Sequence, residues 1–399
     1  MLHPFLRARQ FALCMTLRLF RRVVPRKVTG VRALYRVPEL FLQAGVERVL
    51  LVTTPGFVRR GTLVGLLDEC AAAGLAVTVF SDLTPDPTVA AVEAGVQAYR
   101  AGDCGGIAAV GGGSVMDCAK LIGARVACPD KPIRRMRGMM RVRRHLPFLV
   151  AVPTTAGTGS EVTAAAVVTD TVNGRHVKYA VSDLRLVPAA AVLDVDLTIP
   201  FSPQMTAETG MDALTHAVEA ATNRFSSRFV REKAIASIRG IFHALPTATA
   251  DGTHHAARTE MLEASYLAGL AFTNGFVGTV HALAHGVGAL YGVPHGRANA
   301  VLLLPVLRAY GRAAEGKLAY LARRCGLAQP EDSRAAAAGA FLAKVKRLEN
   351  ALPIPATLPV REEDVKELVN RALREGRDYP TPRILGRKAL EDILHAVMA

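Results

Sequence analysis

The 399-residue chain predicts an α/β domain with a parallel sheet followed by an all-α domain. Short apolar runs rich in Val and Leu recur at Arg48–Val52, Val77–Phe80, Gly106–Val110, Pro147–Val152 and Ala191–Asp194. Helical patterns such as Thr62–Gly74 and Thr88–Ala101 separate several of them, as βα units with a sheet covered on both faces require. After about Pro200 the pattern changes. From Thr206 onward Ala and Leu recur at helical spacing, punctuated by Gly and Pro. Half of the residues are apolar and 21% are charged, enough to bury a large core at two-domain length. The expected division is a basic N-terminal arm at 1–28, an α/β domain at 29–198 and a helical domain at 199–399.

The formal net charge of +15 invites a nucleic-acid or membrane reading. The charge is local, however. Met1–Pro38 holds no acid and nine basic residues, and the stretch from Lys131 to Arg144 holds seven more, again without an acid. These sixteen charges exceed the whole excess, so the remainder of the chain is near neutral. Trp is absent and aromatics make up 6%, so the stacking platforms of single-strand binders are missing. A basic nucleic-acid- or membrane-surface-binding protein is the reading from another class. It would need aromatics interleaved with the clusters, and no nucleic-acid partner is expected.

The six cysteines show no C-x-x-C pairing, which argues against a disulfide framework or a cysteine zinc site and fits a reducing cytoplasm. Phe11–Phe20 is interrupted by Arg18 and lacks a small-residue cleavage site, so it does not read as a signal peptide. The arm reads instead as a transit-like segment, as an interfacial amphipathic helix making weak membrane-surface contact, or as a basic helix on the protein's own surface. Ala264–Gly296 contains no Asp, Glu, Lys or Arg and mimics a transmembrane span. Its three histidines and recurrent glycines fit closely packed buried helices better.

Two loops carry cofactor chemistry. Gly111-Gly112-Gly113-Ser114-Val115-Met116-Asp117 follows one predicted strand and opens a helix, where backbone N–H groups and the helix terminus suit a pyrophosphate. It is not G-x-G-x-x-G. Pro153-Thr154-Thr155-Ala156-Gly157-Thr158-Gly159-Ser160-Glu161 also follows a strand and offers four hydroxyls and two glycines. Hydroxyl-rich turns also serve as helix caps.

The histidines say more. Asp212 and His216 are four apart in a helical context, on one face and one turn apart. His281 and His285 repeat the spacing, and His295 follows in a Pro-His-Gly turn. Three histidines within fifteen residues of an uncharged stretch are hard to explain as core residues. A carboxylate with two or three imidazoles is a reasonable ligand set for Fe2+ or Zn2+. The pair is not H-E-x-x-H, since Ala282 follows His281, so a metalloprotease is disfavoured.

Gly111–Lys120, Pro153–Thr163, Gly210–Glu219 and His281–Gly296 together resemble the signature segments of the iron-dependent, group III alcohol dehydrogenases, in order and at close to the family's spacing. The resemblance covers roughly residues 30–395. It implies an N-terminal dinucleotide-binding α/β domain and an all-α metal-binding domain, a dehydroquinate synthase-like architecture. It implies Asp212, His216, His281 and His295 as metal ligands for Fe2+, with Zn2+ as the alternative. His285 would line the active site for proton relay or substrate orientation. Gly112, Gly113, Ser114 and Asp117 would hold the pyrophosphate and reach toward the nicotinamide. Thr154, Thr155, Thr158 and Lys178 would contact ribose and phosphate.

Three departures from the family pattern stand out. Thr54 occupies the position where many NAD-preferring members carry an adenosine-ribose Asp, and Arg59 or Arg60 could approach a 2′-phosphate. The cofactor expected is therefore NAD or NADP, with a lean toward NADP(H) or weak discrimination. Asp86-Pro87-Thr88 replaces the usual N-P-T, and Ala165 replaces a cofactor-side Asn. The implied reaction is hydride transfer between a small or primary alcohol, or its aldehyde, and the nicotinamide. Glycerol dehydrogenase-like and dehydroquinate synthase-like metalloenzymes are the alternatives of the same fold. A homodimer is the expected assembly.

Overall fold

The chain divides into an α/β unit, Val23–Ile199, and a helical unit that joins Pro200–Ala399 with the N-terminal helix α1 (Leu2–Leu19). The computed structural model describes residues 2–19, 23–83, 85–172 and 175–399. Arg21 and Arg22 of the basic arm lie outside the described residues.

The α/β unit begins with β1 (Arg26–Thr29), α2 (Val37–Gln43), β2 (Arg48–Val52), α3 (Pro55–Arg59) and α4 (Val64–Ala72). It continues through β3 (Ala76–Phe80), α5 (Val89–Ala101), β4 (Gly106–Gly111) and α6 (Gly113–Ala127). After α7 (Ile133–Met136) and β5 (Gly138–Met139) come β6 (Phe148–Pro153), β7 (Ala165–Val172), β8 (Arg175–Ser182) and β9 (Ala190–Leu193). Six strands form one sheet in the order β1-β9-β6-β4-β2-β3, and every pair is parallel.

The sheet's two faces explain its sequence. Val49 and Leu51 pack with Leu34, Leu40, Phe41 and Leu66 on one side, while Leu50 and Val52 pack with Val92, Val96, Met116 and Ile122 on the other. Alternate residues thus enter different cores, both apolar, so the strands read as continuous hydrophobic runs. All five expected strands form. The edge strand β1 has only Val28 buried, and its Arg-Lys start hides it from hydrophobic pattern reading.

A three-stranded sheet, β5-β8-β7, adds an antiparallel β7–β8 pair that pattern reading did not foresee. The segment Lys131–Arg144 is pinned by buried Ile133, Met136 and Val142, and Asp183 accepts hydrogen bonds from the backbone N–H groups of Val142 and Arg143. The arginines at 134, 135, 137, 141, 143 and 144 are left exposed.

Among the described residues, the part of the helical unit after residue 200 contains only helices and connections. They are α8 (Pro203–Thr222), α9 (Arg228–Ala250), α10 (His255–Gly275), α11 (Thr279–Tyr291) and α12 (His295–Tyr310). α13 (Arg312–Arg324), α14 (Arg334–Ala351), α15 (Glu362–Glu375) and α16 (Arg387–His395) complete it. Ser202 caps α8 by accepting from Met205 N, and Pro203 fits the first turn because its missing N–H would have no partner there. The uncharged stretch is two helices, α10 and α11, bent by 105° at their junction. Among the described residues no single helix is long and apolar enough to cross a membrane.

α1 lies against its own unit. Arg7 donates to Thr381 O at 2.8 Å, and the side chain of buried Gln10 donates to Arg377 O and Tyr379 O, both at 2.9 Å. Phe11 meets Phe225 edge-on at 5.4 Å.

Gly296 is where α12 passes closest to α8. A Cβ there would stand 2.4 Å from the backbone oxygen of Glu208, which cannot swing away as a side chain can. Gly296→Ala is expected to lower the unfolding free energy by about 1–3 kcal/mol, read as a lower urea midpoint at unchanged slope.

Candidate metal centre and cofactor loops

Three helices of the helical unit bring together four side chains that could hold a metal ion. Asp212 and His216 lie one turn apart on α8, His281 in the first turn of α11, and His295 at the start of α12. One ligand atom from each lies within 4.8 Å of all the others. Asp212, His216 and His281 are buried, and His295 is partly open. His216 is held between the ring of Phe272, stacked at 4.2 Å, and that of His281 at 4.5 Å.

The environment suits a cation. Buried Asn299, four residues after His295, directs its side-chain N–H group at Asp212 Oδ1 (2.6 Å), His295 Nε2 (3.0 Å) and His281 Nε2 (3.3 Å). Asp212 Oδ1 and two imidazole nitrogens thus gather around one amide nitrogen. Burial and the neighbouring imidazoles of His216, His295 and His285 hold the His281 pKa well below its usual range, so the ring is neutral, the form that can ligate.

Glu219 organises this geometry. It stands seven residues after Asp212 on the same face of α8, and it is fully buried. Its carboxylate accepts from Gly278 N, Val280 N and His281 Nδ1, each at 2.7 Å. It thereby caps α11 and fixes the His281 tautomer, leaving Nε2 free to face the ligand cluster. Burial lifts the Glu219 carboxyl to about 8, while the N–H groups of Val280, Gly278 and His281 pull it back toward ionisation. Gly278 is required for the contact, because a Cβ there would stand 2.7 Å from Glu219 Oε1.

His285, one turn beyond His281, is half-exposed and stacks on His295 at 5.1 Å. Its Nδ1 lies 2.5 Å from Glu375 Oε1, which also accepts from the Tyr379 hydroxyl at 2.9 Å. Glu219, Asn299, Glu375 and Tyr379 were not found from sequence. Glu219 and Asn299 had a signal, since each lies three or four residues beyond a predicted ligand on the same helix. Glu375 is 90 residues from His285 and had none.

The α/β unit contains the other predicted residues. Gly112 is the N-cap of α6 and Gly113 its first residue, directly after β4. A Cβ on Gly113 would lie 3.1 Å from Thr158 Cγ2, so the two glycine- and hydroxyl-rich loops approach closely there. Thr154 N donates to Gly111 O at 3.1 Å, and Thr155 Oγ1 is buried with no hydrogen-bond partner. Lys178, on β8, reaches Asp86 Oδ1 at 2.7 Å, and Asp86 N lies 3.3 Å from Ser114 Oγ. These contacts gather Asp86, Ser114 and Lys178 beside the start of α6. Thr54 caps α3 through Phe57 N, with Arg59 and Arg60 exposed just beyond it.

Asp117 takes a bracing position. Its oxygens accept from Ser160 Oγ and from Val167 N, both at 2.9 Å. Lys120, fully buried one turn later, donates to Ser160 Oγ (3.0 Å), Thr163 Oγ1 (2.7 Å) and Ala165 O (3.0 Å). The backbone oxygen of Ala165 thus serves the loop anchor. Burial lowers Lys120 to about 8, against the opposing pull of Asp117 and Glu161.

Comparison with known proteins agrees with this architecture. The family model for iron-containing alcohol dehydrogenases matches residues 25–195, and that for the C-terminal part of the Fe-containing alcohol dehydrogenase family matches 206–398. The chain belongs to the iron-containing alcohol dehydrogenase family and is a metal-dependent oxidoreductase. It is 37% identical to the 1,3-propanediol dehydrogenase of Citrobacter freundii, over 95% of this chain and 99% of the relative. It is 34% identical to the NAD-dependent methanol dehydrogenase of Bacillus methanolicus, over 91% of this chain and 95% of the relative. The crystal structure of a 1,3-propanediol oxidoreductase superposes with a TM-score of 0.91 at 36% identity, covering 95% of this chain and all of that one.

Glu219→Gln replaces the carboxyl that meets Gly278 N, Val280 N and His281 Nδ1 with an amide, one of whose two acceptor positions becomes an NH2 donor, and is expected to weaken metal affinity about 10–100-fold. Competition with a chelating dye measures it. Asp212→Ala in the same assay should retain no stoichiometric metal after desalting.

Proposed function

We propose that the chain interconverts small primary alcohols and their aldehydes with NAD(H) or NADP(H), using Asp212, His216, His281 and His295 to hold Fe2+, or Zn2+ in its place. The observation that carries this reading is the convergence of four ligand atoms within 4.8 Å, beside the Glu219–His281 hydrogen bond. When bound, the metal supplies Lewis-acid polarisation of the alcohol or aldehyde oxygen, and the nicotinamide exchanges the hydride. The relatives named for propanediol and methanol support a short-chain alcohol as the substrate class.

The chain's own residues have separable tasks. Asp212 and the three imidazoles fix the ligand geometry, Glu219 holds the His281 ring, and Asn299 orients Asp212 and His295. His285 holds a proton at Nε2 or releases it, while Nδ1 stays on Glu375. Its partial exposure and its stacking on His295 suit a relay between a bound oxygen and water. On the cofactor side, backbone N–H groups at Gly112, Gly113 and Ser114 would receive the pyrophosphate at the start of α6. Thr154, Thr155, Thr158 and Lys178 would contact ribose and phosphate, with Asp86 placing Lys178. Asp117 acts through Ser160 by holding the hydroxyl loop against α6.

The test is a panel of short aldehydes, reduced with NADH and with NADPH by iron-loaded and zinc-loaded protein. Turnover with at least one pairing, abolished in Asp212→Ala, is expected; undiminished turnover in metal-free Asp212→Ala would overturn the metal assignment. His285→Ala should keep the metal and lower kcat about 10²–10⁴-fold. Thr54→Asp should shift preference toward NADH, because the new carboxylate repels a 2′-phosphate. Thermal stability should stay nearly constant, since Asp caps a helix as well as Thr does.

A further inference from the structure

Arg7, Arg9 and Gln10 of the N-terminal helix all bind one short segment of their own unit, and that segment leads to His285. Gln10 is almost completely buried on an otherwise Arg-rich helix, and its side-chain amide is fully used. Nε2 donates to Arg377 O and to Tyr379 O, and Oε1 accepts from Arg7 Nη1, all at 2.9 Å. Arg7 continues the clamp to Thr381 O at 2.8 Å and Pro382 O at 3.4 Å. The exposed pair of Arg9 and Asp378, at 2.8 Å, closes the same contact from outside.

The clamped segment packs where the site is built. Its methyl group at Thr381 lies 3.4 Å from where a Cβ on Gly278 would stand, next to the Glu219 contact. It also contains Tyr379, whose hydroxyl donates to the Glu375 oxygen that meets His285 Nδ1. A chain of direct contacts therefore runs from Gln10 through the backbone at 377–379, Tyr379 and Glu375 to the His285 ring.

We propose that Gln10 and Arg7 are positioning residues for the His285–Glu375 pair: by fixing the 377–382 segment they set Tyr379 and Glu375, and so the orientation of the His285 ring. The amide of Gln10 spans two carbonyls two residues apart, so it defines the local path of the segment rather than merely adhering to it. This inference rests on His285 acting as the relay. An arm that served only as a surface contact would leave these residues without effect on turnover.

The test is a double-mutant cycle on the full-length, metal-loaded enzyme. Gln10→Leu should lower kcat about tenfold, the scale of a sub-ångström misplacement of a reacting group. Metal content and the KM for the nicotinamide should be unchanged, and amide hydrogen exchange at 376–382 should accelerate. In the His285→Ala background, Gln10→Leu should cause no further loss, since contributions routed through one group do not add. Equal factors in both backgrounds, or unchanged kcat in Gln10→Leu, would overturn the proposal. Arg7→Met, which keeps Gln10, should act with the same sign and serves if Gln10→Leu does not fold. Full turnover in His285→Ala alone would instead overturn the relay reading itself, so the two failures are distinguishable.

Discussion

The helical unit depends on a single carboxylate contact. Glu219 on α8 accepts two backbone N–H groups at the start of α11 and the Nδ1 proton of His281. Carboxyl oxygens at a helix N-terminus are favourable because the unpaired N–H groups there carry partial positive charge. Here the same bond fixes which imidazole nitrogen faces the ligands. One interaction thereby joins two helices, caps one of them and holds the His281 ring. The close approach is open only because residue 278 is Gly.

The α/β unit solves a related problem with a buried network. The hydroxyl-rich loop at 153–161 cannot be held by apolar packing alone, so it needs polar anchors behind it. Asp117 and Lys120, one turn apart on α6, provide them through Ser160, Thr163 and the backbone at 165 and 167. Buried charges of opposite sign with nearly all their donors and acceptors matched hold geometry well, whatever their net contribution to stability. The resulting loop keeps Thr158 against Gly113 at the start of α6.

The large positive charge belongs to the periphery of both units. Around residues 131–144, apolar Ile133, Met136 and Val142 hold the segment down while its arginines face water. In α1, Arg7 and Arg9 bind backbone carbonyls and Asp378 of the same unit. Arginine suits this task because its planar fork satisfies several carbonyls at once and keeps its charge. The N-terminal segment thus has a structural partner within the chain, which its composition alone could not distinguish from a membrane or nucleic-acid partner.

Much of the architecture was legible because it follows from local rules. Fully apolar strands, such as Arg48–Val52 and Gly106–Gly111, announce a sheet covered on both faces, and the spacing of Asp212 with His216 and of His281 with His285 declares shared helix faces. The β7–β8 pair escaped notice although Asn-Gly at 173–174 is a hairpin signal, because its strands mix charged and polar residues with short apolar ones. By itself the sequence determined the residue types and periodicities, and from them the α/β and helical architecture, while its motif segments carried the family resemblance. Only the tertiary structure decided the partners: Glu219 for His281, Glu375 for His285, Ser160 for Asp117 and the 377–382 backbone for Gln10. Those pairs are separated by tens to hundreds of residues, and a hydrogen bond depends on where two atoms meet in space, a relation that no local spacing records.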